Sequence, residues 1–354
     1  MTAGENSPMA DPGKPRVAVF TLGGTIAMKA VPGGGVAPAL SASDLLAAVP
    51  GLEDEGVELE VRDMANKPGA SLSFGDVLGL ADVISAALSG GCAGVVVIQG
   101  TDTIEETAYL LDLLVASEAP VVVTGAMRNP SLAGADGPAN ILAAIRVAAS
   151  DRARGLGALV VMNDQIHAAR WVQKAHTAST AAFTSAGQGR VGQVIEGRVD
   201  IPARLRQRSP VVSAVSPRDV RVGLVTITLG DDGVLIDAIG EHVDGLVVAA
   251  LGAGHVPADT VTTLAKLAAR MPVVLASRTG AGPVHHQTYG FPGSETDLLA
   301  RGLISAGYLA PVKARLLLHL LIASRAGTTR IKETFATAGG AAQQDPDHRT
   351  RAEG

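Results

Sequence analysis

Val95-Val96-Val97-Ile98-Gln99-Gly100-Thr101-Asp102-Thr103-Ile104-Glu105-Glu106-Thr107-Ala108 decides the fold of this chain. The β-branched run is continuous rather than alternating, which predicts a strand buried on both faces. Gln-Gly and Thr-Asp-Thr then break the run, and an acid-rich helical pattern follows. Thr103 can cap that helix, with Glu105 and Glu106 in the first turn where the helix dipole favours acids. A hydroxyl and a carboxylate therefore stand at the carboxyl end of a central strand, where open α/β sheets bind ligands.

Working outward, the first half alternates strand and helix patterns. Strands are predicted at 16–22, 57–63, 94–99, 121–125 and 159–163, and helices at 74–88, 103–115 and 137–149. Such alternation implies right-handed βαβ units on a mainly parallel sheet. Val191 to Ile195 and Arg198 to Ile201, joined by Glu196-Gly197, read as a β-hairpin. Polar, Pro-containing residues follow, and then a smaller α/β unit with strands at 222–228, 246–251 and 273–276 and helices at 257–270 and 311–323. The predicted fold is α/β with two domains, a larger N-terminal one of mainly parallel sheet plus hairpin and a smaller C-terminal parallel one. The expected division is a disordered tail at 1–15, a domain at 16–202, a linker at 203–220, a second domain at 221–338 and a disordered tail at 339–354.

Bulk properties remove several function classes. The chain has 354 residues, 47% hydrophobic and 18% charged, a globular composition. A net charge of −5 leaves no basic excess to neutralise phosphates, so no nucleic-acid partner is expected. Cys92 is the single cysteine, which excludes an internal disulfide and a cysteine metal site. No apolar run reaches membrane-spanning length and the first residues do not form a signal peptide, so no membrane partner and a cytoplasmic location are expected. His285-His286 lacks metal-site spacing, and neither a P-loop nor a dinucleotide fingerprint is present. No metal and no cofactor are expected.

Residues following the first five strands share one edge of a parallel sheet. They are Gly23-Gly24-Thr25, Pro68-Gly69-Ala70-Ser71, Thr101-Asp102, Gly125-Ala126-Met127-Arg128, and Asn163-Asp164 with Lys174 further on. Each cluster alone reads as an ordinary turn, and Lys174 alone as a surface lysine; their convergence points to a site. Gly24 allows close backbone approach, and Thr25 and Thr101 offer hydroxyls for nucleophilic attack. A carboxylate at Asp102 could hold the Lys174 ammonium or take a substrate amine while the lysine tunes a hydroxyl.

These stretches resemble the signatures of the bacterial-type L-asparaginases. Thr21-Leu22-Gly23-Gly24-Thr25-Ile26-Ala27 is similar to the first signature and Gln99 to Ala108 to the second. Thr124 to Arg128 with Ala135 to Asn140, Val160 to Asp164 with Lys174, and Lys313-Ala314-Arg315 also match. The resemblance covers about residues 16–336. It implies an amidohydrolase releasing ammonia from L-asparagine through a threonine acyl-enzyme, with L-glutamine or another amide as alternative substrate. A non-catalytic binder of aspartate or asparagine is the alternative outside enzymes. The resemblance assigns Thr25 as nucleophile, and Thr101, Asp102 and Lys174 as the accompanying Thr-Lys-Asp group. Gly24, Gly100, Ala126 and either Gly69 or Ser71 would bind substrate. The family implies a homotetramer of intimate dimers, in which Glu295, counting back from Lys313, or Tyr289, counting forward from Arg278, completes the site. Leu22 stands where the family has threonine and Gln99 where it has histidine. The loop from Met28 to Ala42 carries no tyrosine, which leaves Lys174 or a water as proton acceptor for Thr25.

Overall fold

The computed structural model describes residues 13–24, 26, 28–30, 36–38, 41–213 and 219–340. β1 (Arg16–Thr21) is followed by a two-stranded ribbon, β2 (Met28–Ala30) with β3 (Val36–Pro38), and by helix α1 (Ala42–Ala47). Then come β4 (Glu58–Asp63), α2 (Phe74–Ser89), β5 (Gly94–Ile98), α3 (Ile104–Leu114), β6 (Val121–Thr124), α4 (Gly137–Ala148) and β7 (Ala158–Met162). In space the order is β4-β1-β5-β6-β7, with every neighbouring pair parallel.

Beyond β7 the sheet turns antiparallel. The strand expected to end at Asn163 reverses through Asn163 and Asp164, at φ 52° and 57°, into β8 (Gln165–Ala168). A two-stranded piece outside the sheet, β9 (Gln173–Lys174) with β10 (Phe183–Thr184), carries the chain to β11 (Gly192–Ile195) and β12 (Arg198–Asp200). The β11–β12 hairpin is the expected one, with Glu196 and Gly197 at φ 50° and 75° as a tight two-residue turn requires.

The second sheet is parallel throughout, in the order β13 (Val222–Thr226), β14 (Gly245–Ala250), β15 (Val273–Ser277) and β16 (Ile304–Ser305). Its helices are α5 (Val234–Gly240), α6 (Val261–Ala268), α7 (Glu295–Ala300), α8 (Pro311–Ala323) and α9 (Thr328–Ala338). The two-domain α/β architecture is as expected. The expected tails lie outside the described residues apart from 13–15 and 339–340, as do residues 214–218 of the expected linker.

Every residue of β5 is buried, which is why the run from Gly94 to Ile98 does not alternate. Val95 and Val97 join Phe20, Val123 and Val160 on one face of the large sheet, beneath α2 and α3; Val96 and Ile98 join Val19, Val122 and Val161 on the other, beneath α4. Helix α8 packs on the second sheet and also on α3, so Leu317 and Leu320 share one core with Leu111 and Tyr109. The Phe74 and His319 rings stack across this junction with centroids 3.6 Å apart. The two domains are thus welded by one apolar cluster around α8.

Candidate active site

The loops leaving β1, β4 and β5 meet at the carboxyl edge of the large sheet. Leu22 N–H donates to the Ile98 carbonyl at 2.9 Å and Lys67 N–H to the Leu22 carbonyl at 3.0 Å. Gly24 holds φ +92°, and a Cβ there would lie 2.1 Å from the Gly100 nitrogen. Only glycine allows this approach, so the two signature loops touch backbone to backbone. A Cβ on Gly69 would lie 3.0 Å from the Gly100 carbonyl oxygen, which sets Gly24, Gly69 and Gly100 together. Ser71 is exposed on the same turn. Thr25 lies outside the described residues, as does the loop from Met28 to Ala42 except for β2, β3, Ser41 and Ala42.

Beside Gly100 stands a three-residue hydrogen-bonded group. Lys174 Nζ donates to Thr101 Oγ1 and to Asp102 Oδ1, each at 2.9 Å. Thr101 is buried at 5% exposure, whereas the Asp102 side chain is 63% exposed and that of Lys174 19%. The lysine is therefore not the free surface residue that its type alone suggests. A hydroxyl that accepts from an ammonium keeps its own O–H to donate and is polarised toward losing that proton. Asp102, with one oxygen on Lys174, keeps acceptor capacity toward solvent for an incoming ammonium.

Thr103 does not cap α3 with its side chain, contrary to the sequence expectation. Its hydroxyl donates to the Gly69 carbonyl at 3.0 Å, and Gln99 Nε2 lies 3.2 Å from it. A bond across loops has won over the local cap, which ties the β4 loop to the Thr101 turn. Ala126 is buried at 1% exposure, and its loop is held from α4. Asp136 accepts the N–H groups of Met127 and Arg128 at 3.0 and 2.9 Å, and Asn140 Nδ2 donates to the Gly125 carbonyl at 3.0 Å. Asn140 Oδ1 also accepts Asn163 N–H at 2.9 Å. Asp136 and Asn140 lie in the Ala135–Asn140 stretch that resembles the family, but spacing alone gives them no role.

Glu295 and Tyr289 sit in the second domain, away from this hydrogen-bonded group. The Glu295 carboxylate is wholly buried, accepts Thr288 and Tyr289 N–H at 3.0 and 2.9 Å, and lies 3.2 Å from His255 Nε2. Burial raises its pKa, yet the main-chain donors and His255 outweigh that and leave it below the usual glutamate value. Tyr289 is 42% exposed, its ring edge-on to His255. Within one chain these residues bind each other.

Beneath the site, Lys313 of α8 is buried and donates to the Val172 carbonyl two residues before Lys174. Burial lowers its pKa, against the pull of Glu105 and Asp112, and burial raises that of Glu105. A cavity of about 750 Å³ lies elsewhere, lined by Glu55, Arg146 and the β11–β12 hairpin. Among the described residues no group of three or more His, Cys, Asp or Glu side chains is placed to hold a metal ion.

Fold and site together define a two-domain α/β protein with a Thr-Lys-Asp group at the carboxyl edge of its larger sheet. Residues 16–207 match the N-terminal asparaginase domain and residues 221–335 the glutaminase/asparaginase C-terminal domain. The chain belongs to the asparaginase family. It is 38% identical to a probable L-asparaginase of Deinococcus radiodurans, over 91% of this chain and 97% of that protein. It is 34% identical to an L-asparaginase of Bacillus licheniformis, over 87% and 96%. The crystal structure of a probable cytoplasmic L-asparaginase from Campylobacter jejuni superposes with a TM-score of 0.81 at 33% identity, covering 92% of this chain and all of that one.

Proposed function

We propose that this protein hydrolyses the side-chain amide of L-asparagine to aspartate and ammonia, with Thr25 as nucleophile. The observation that carries this reading is the Thr101-Lys174-Asp102 group set against Gly100, whose backbone touches that of Gly24, the residue before Thr25.

In the proposed reaction the Thr25 oxygen attacks the amide carbon, and its proton passes to a water or to Lys174 in its neutral amine form, which then carries it as an ammonium. Proton delivery to the amide nitrogen breaks the carbon–nitrogen bond and releases ammonia, leaving an ester on Thr25. Water then adds to the ester carbon, directed by Thr101, and its proton passes to the Thr25 oxygen as the bond to Thr25 breaks, which restores the hydroxyl. Backbone N–H groups around Gly24 and Gly100 stabilise the oxyanion. Asp102 receives the substrate's α-ammonium, the Gly69–Ser71 turn its carboxylate, and Ala126 offers backbone to the reacting amide. Glu295 or Tyr289 completes the site across an intimate dimer of a homotetramer. The reading includes a cytoplasmic location; among the described residues no helix is long and apolar enough to cross a membrane.

The test is ammonia release by purified protein from L-asparagine, D-asparagine and L-glutamine at neutral pH, beside calorimetric binding of L-aspartate. Turnover is expected with L-asparagine and is expected to vanish in Thr25→Ala. The extra methylene of glutamine is expected to cost about 1–3 kcal/mol in discrimination. Aspartate binding without any turnover would instead establish a non-catalytic binder.

A further inference from the structure

We propose that Lys313 and Glu105 are positioning residues for Lys174, so that helix α8 of the second domain sets the geometry of the Thr101-Lys174-Asp102 group. The inference rests on the reading of that group as the reacting machinery.

Lys174 lies on β9, a strand of two residues paired only with β10 and outside both main sheets. So short a ladder fixes a side chain weakly. Yet the Lys174 ammonium is held at 2.9 Å from two oxygens at the start of α3. Something besides the ladder must hold the strand against α3. Lys313 Nζ does so, by donating to the Val172 carbonyl. Glu105 stands one turn along from Thr101 on α3, the helix that packs against β9, and the Lys174 main-chain N–H favours its ionised form. It is also the carboxylate whose charge acts most strongly on Lys313. Three segments of distant sequence thus meet at one point: the start of α3, the β9 strand and the first turn of α8.

Packing alone does not explain a lysine here. Lys313 is 1% exposed among apolar side chains, with its Nζ 5.9 Å from the Tyr109 ring centroid. Burying a charge is unfavourable even after relaxation, and apolar residues of similar volume commonly fill such places without loss of stability. What lysine adds over methionine is its hold on Val172 and its charge opposite Glu105. The other charged groups that act on it are Asp112 and Arg170, both of the first domain.

The experiment is competitive trace acetylation of the full-length protein, read lysine by lysine by mass spectrometry, with asparagine kinetics on the same samples. The variants are Lys313→Met and Glu105→Gln. Released from Thr101 and Asp102, the 19%-exposed Lys174 side chain becomes more accessible. Its acetylation rate is expected to rise at least fivefold in each variant. Lys67, paired with Asp76 at 2.7 Å on the same domain, serves as internal control and is expected not to change. The expected kinetic result is a kcat at least tenfold lower with KM changed less than threefold. If Lys313→Met does not fold, as judged by circular dichroism, Glu105→Gln decides alone. An unchanged Lys174 rate in a folded variant overturns the proposal, as does a rise shared equally by Lys67. A rise confined to Lys174 in a protein that does not turn over asparagine would uphold the positioning role and overturn the proposed reaction instead.

Discussion

At the scale of single residues, the candidate site depends on where a side chain is missing. Gly24 combines a φ that L-residues rarely adopt with a contact that leaves no room for Cβ. Gly24→Ala is expected to reduce kcat/KM at least 100-fold and to lower Tm, because the Gly24 and Gly100 loops must part. Gly51 provides the comparison: its φ is +74°, but nothing lies within 4 Å of a Cβ there. Gly51→Ala is expected to cost about 1–2 kcal/mol of stability with activity intact. Equal activity in the two variants would show that the close approach at Gly24 has no role. Thr101, Asp102 and the glycine pair were legible in the sequence because each directly follows a strand whose apolar run identifies it. Lys174 became legible only through the resemblance, since eleven residues and a β-hairpin separate it from β7. Lys313 was legible as part of a signature but not as a buried cation, because residue type alone predicts exposure for a lysine.

At the scale of elements, the strands and helices read correctly were those with a strong period or a continuous apolar run. β5, β6, β7 and β14 are buried along their whole length, and α2, α3 and α4 are long enough for a helical pattern to stand out. Short elements escaped. α1 and α7 have six residues each, β9 and β10 two each, and α5 seven, too few for any period to declare itself. α9 was missed for another reason: it is polar on most of its surface and buries mainly Ile331, Thr334, Phe335 and Ala338. Thr103 illustrates local chemistry losing to tertiary contact, since its hydroxyl spans to the Gly69 carbonyl rather than capping α3. These losses fall where an element is shaped by what it touches. That includes β9, the element that delivers Lys174.

At the scale of the whole molecule, the alternation of strand and helix predicted two sheets but not the single core that joins them through α8. That junction makes stability sensitive to acid. His319, stacked on Phe74, and His167, inside the first domain, have pKa values lowered from 6.5 to about 4. Burial is the main cause in both, assisted by Arg315 for His319 and by Arg190 and Lys313 for His167. The unfolded chain binds protons at these groups near pH 6.5 and the folded chain only near 4. Their contribution is therefore complete above pH 6.5 and is lost as pH falls toward 4. By pH 5 the loss is up to about 2 kcal/mol for each histidine. Glu105, Glu106 and Asp112, whose pKa values burial raises, act in the opposite sense. Tm measured by calorimetry is expected to fall between pH 6.5 and 5, and to fall less steeply in His319→Phe, which keeps the stacking and removes the titration. Equal slopes in the two proteins would contradict this account of the junction.

The central claim is that Thr101, Lys174 and Asp102 act together on an amide, and steady-state kinetics of Lys174→Met with L-asparagine test it most directly. General acid–base groups contribute roughly 10²–10⁴-fold, whereas an ion pair to a carboxylate as exposed as Asp102 contributes about 0–1 kcal/mol of stability. The account predicts a kcat lowered by about 10²–10⁴-fold in a protein whose Tm barely moves; a folded Lys174→Met with wild-type kcat and KM would contradict it.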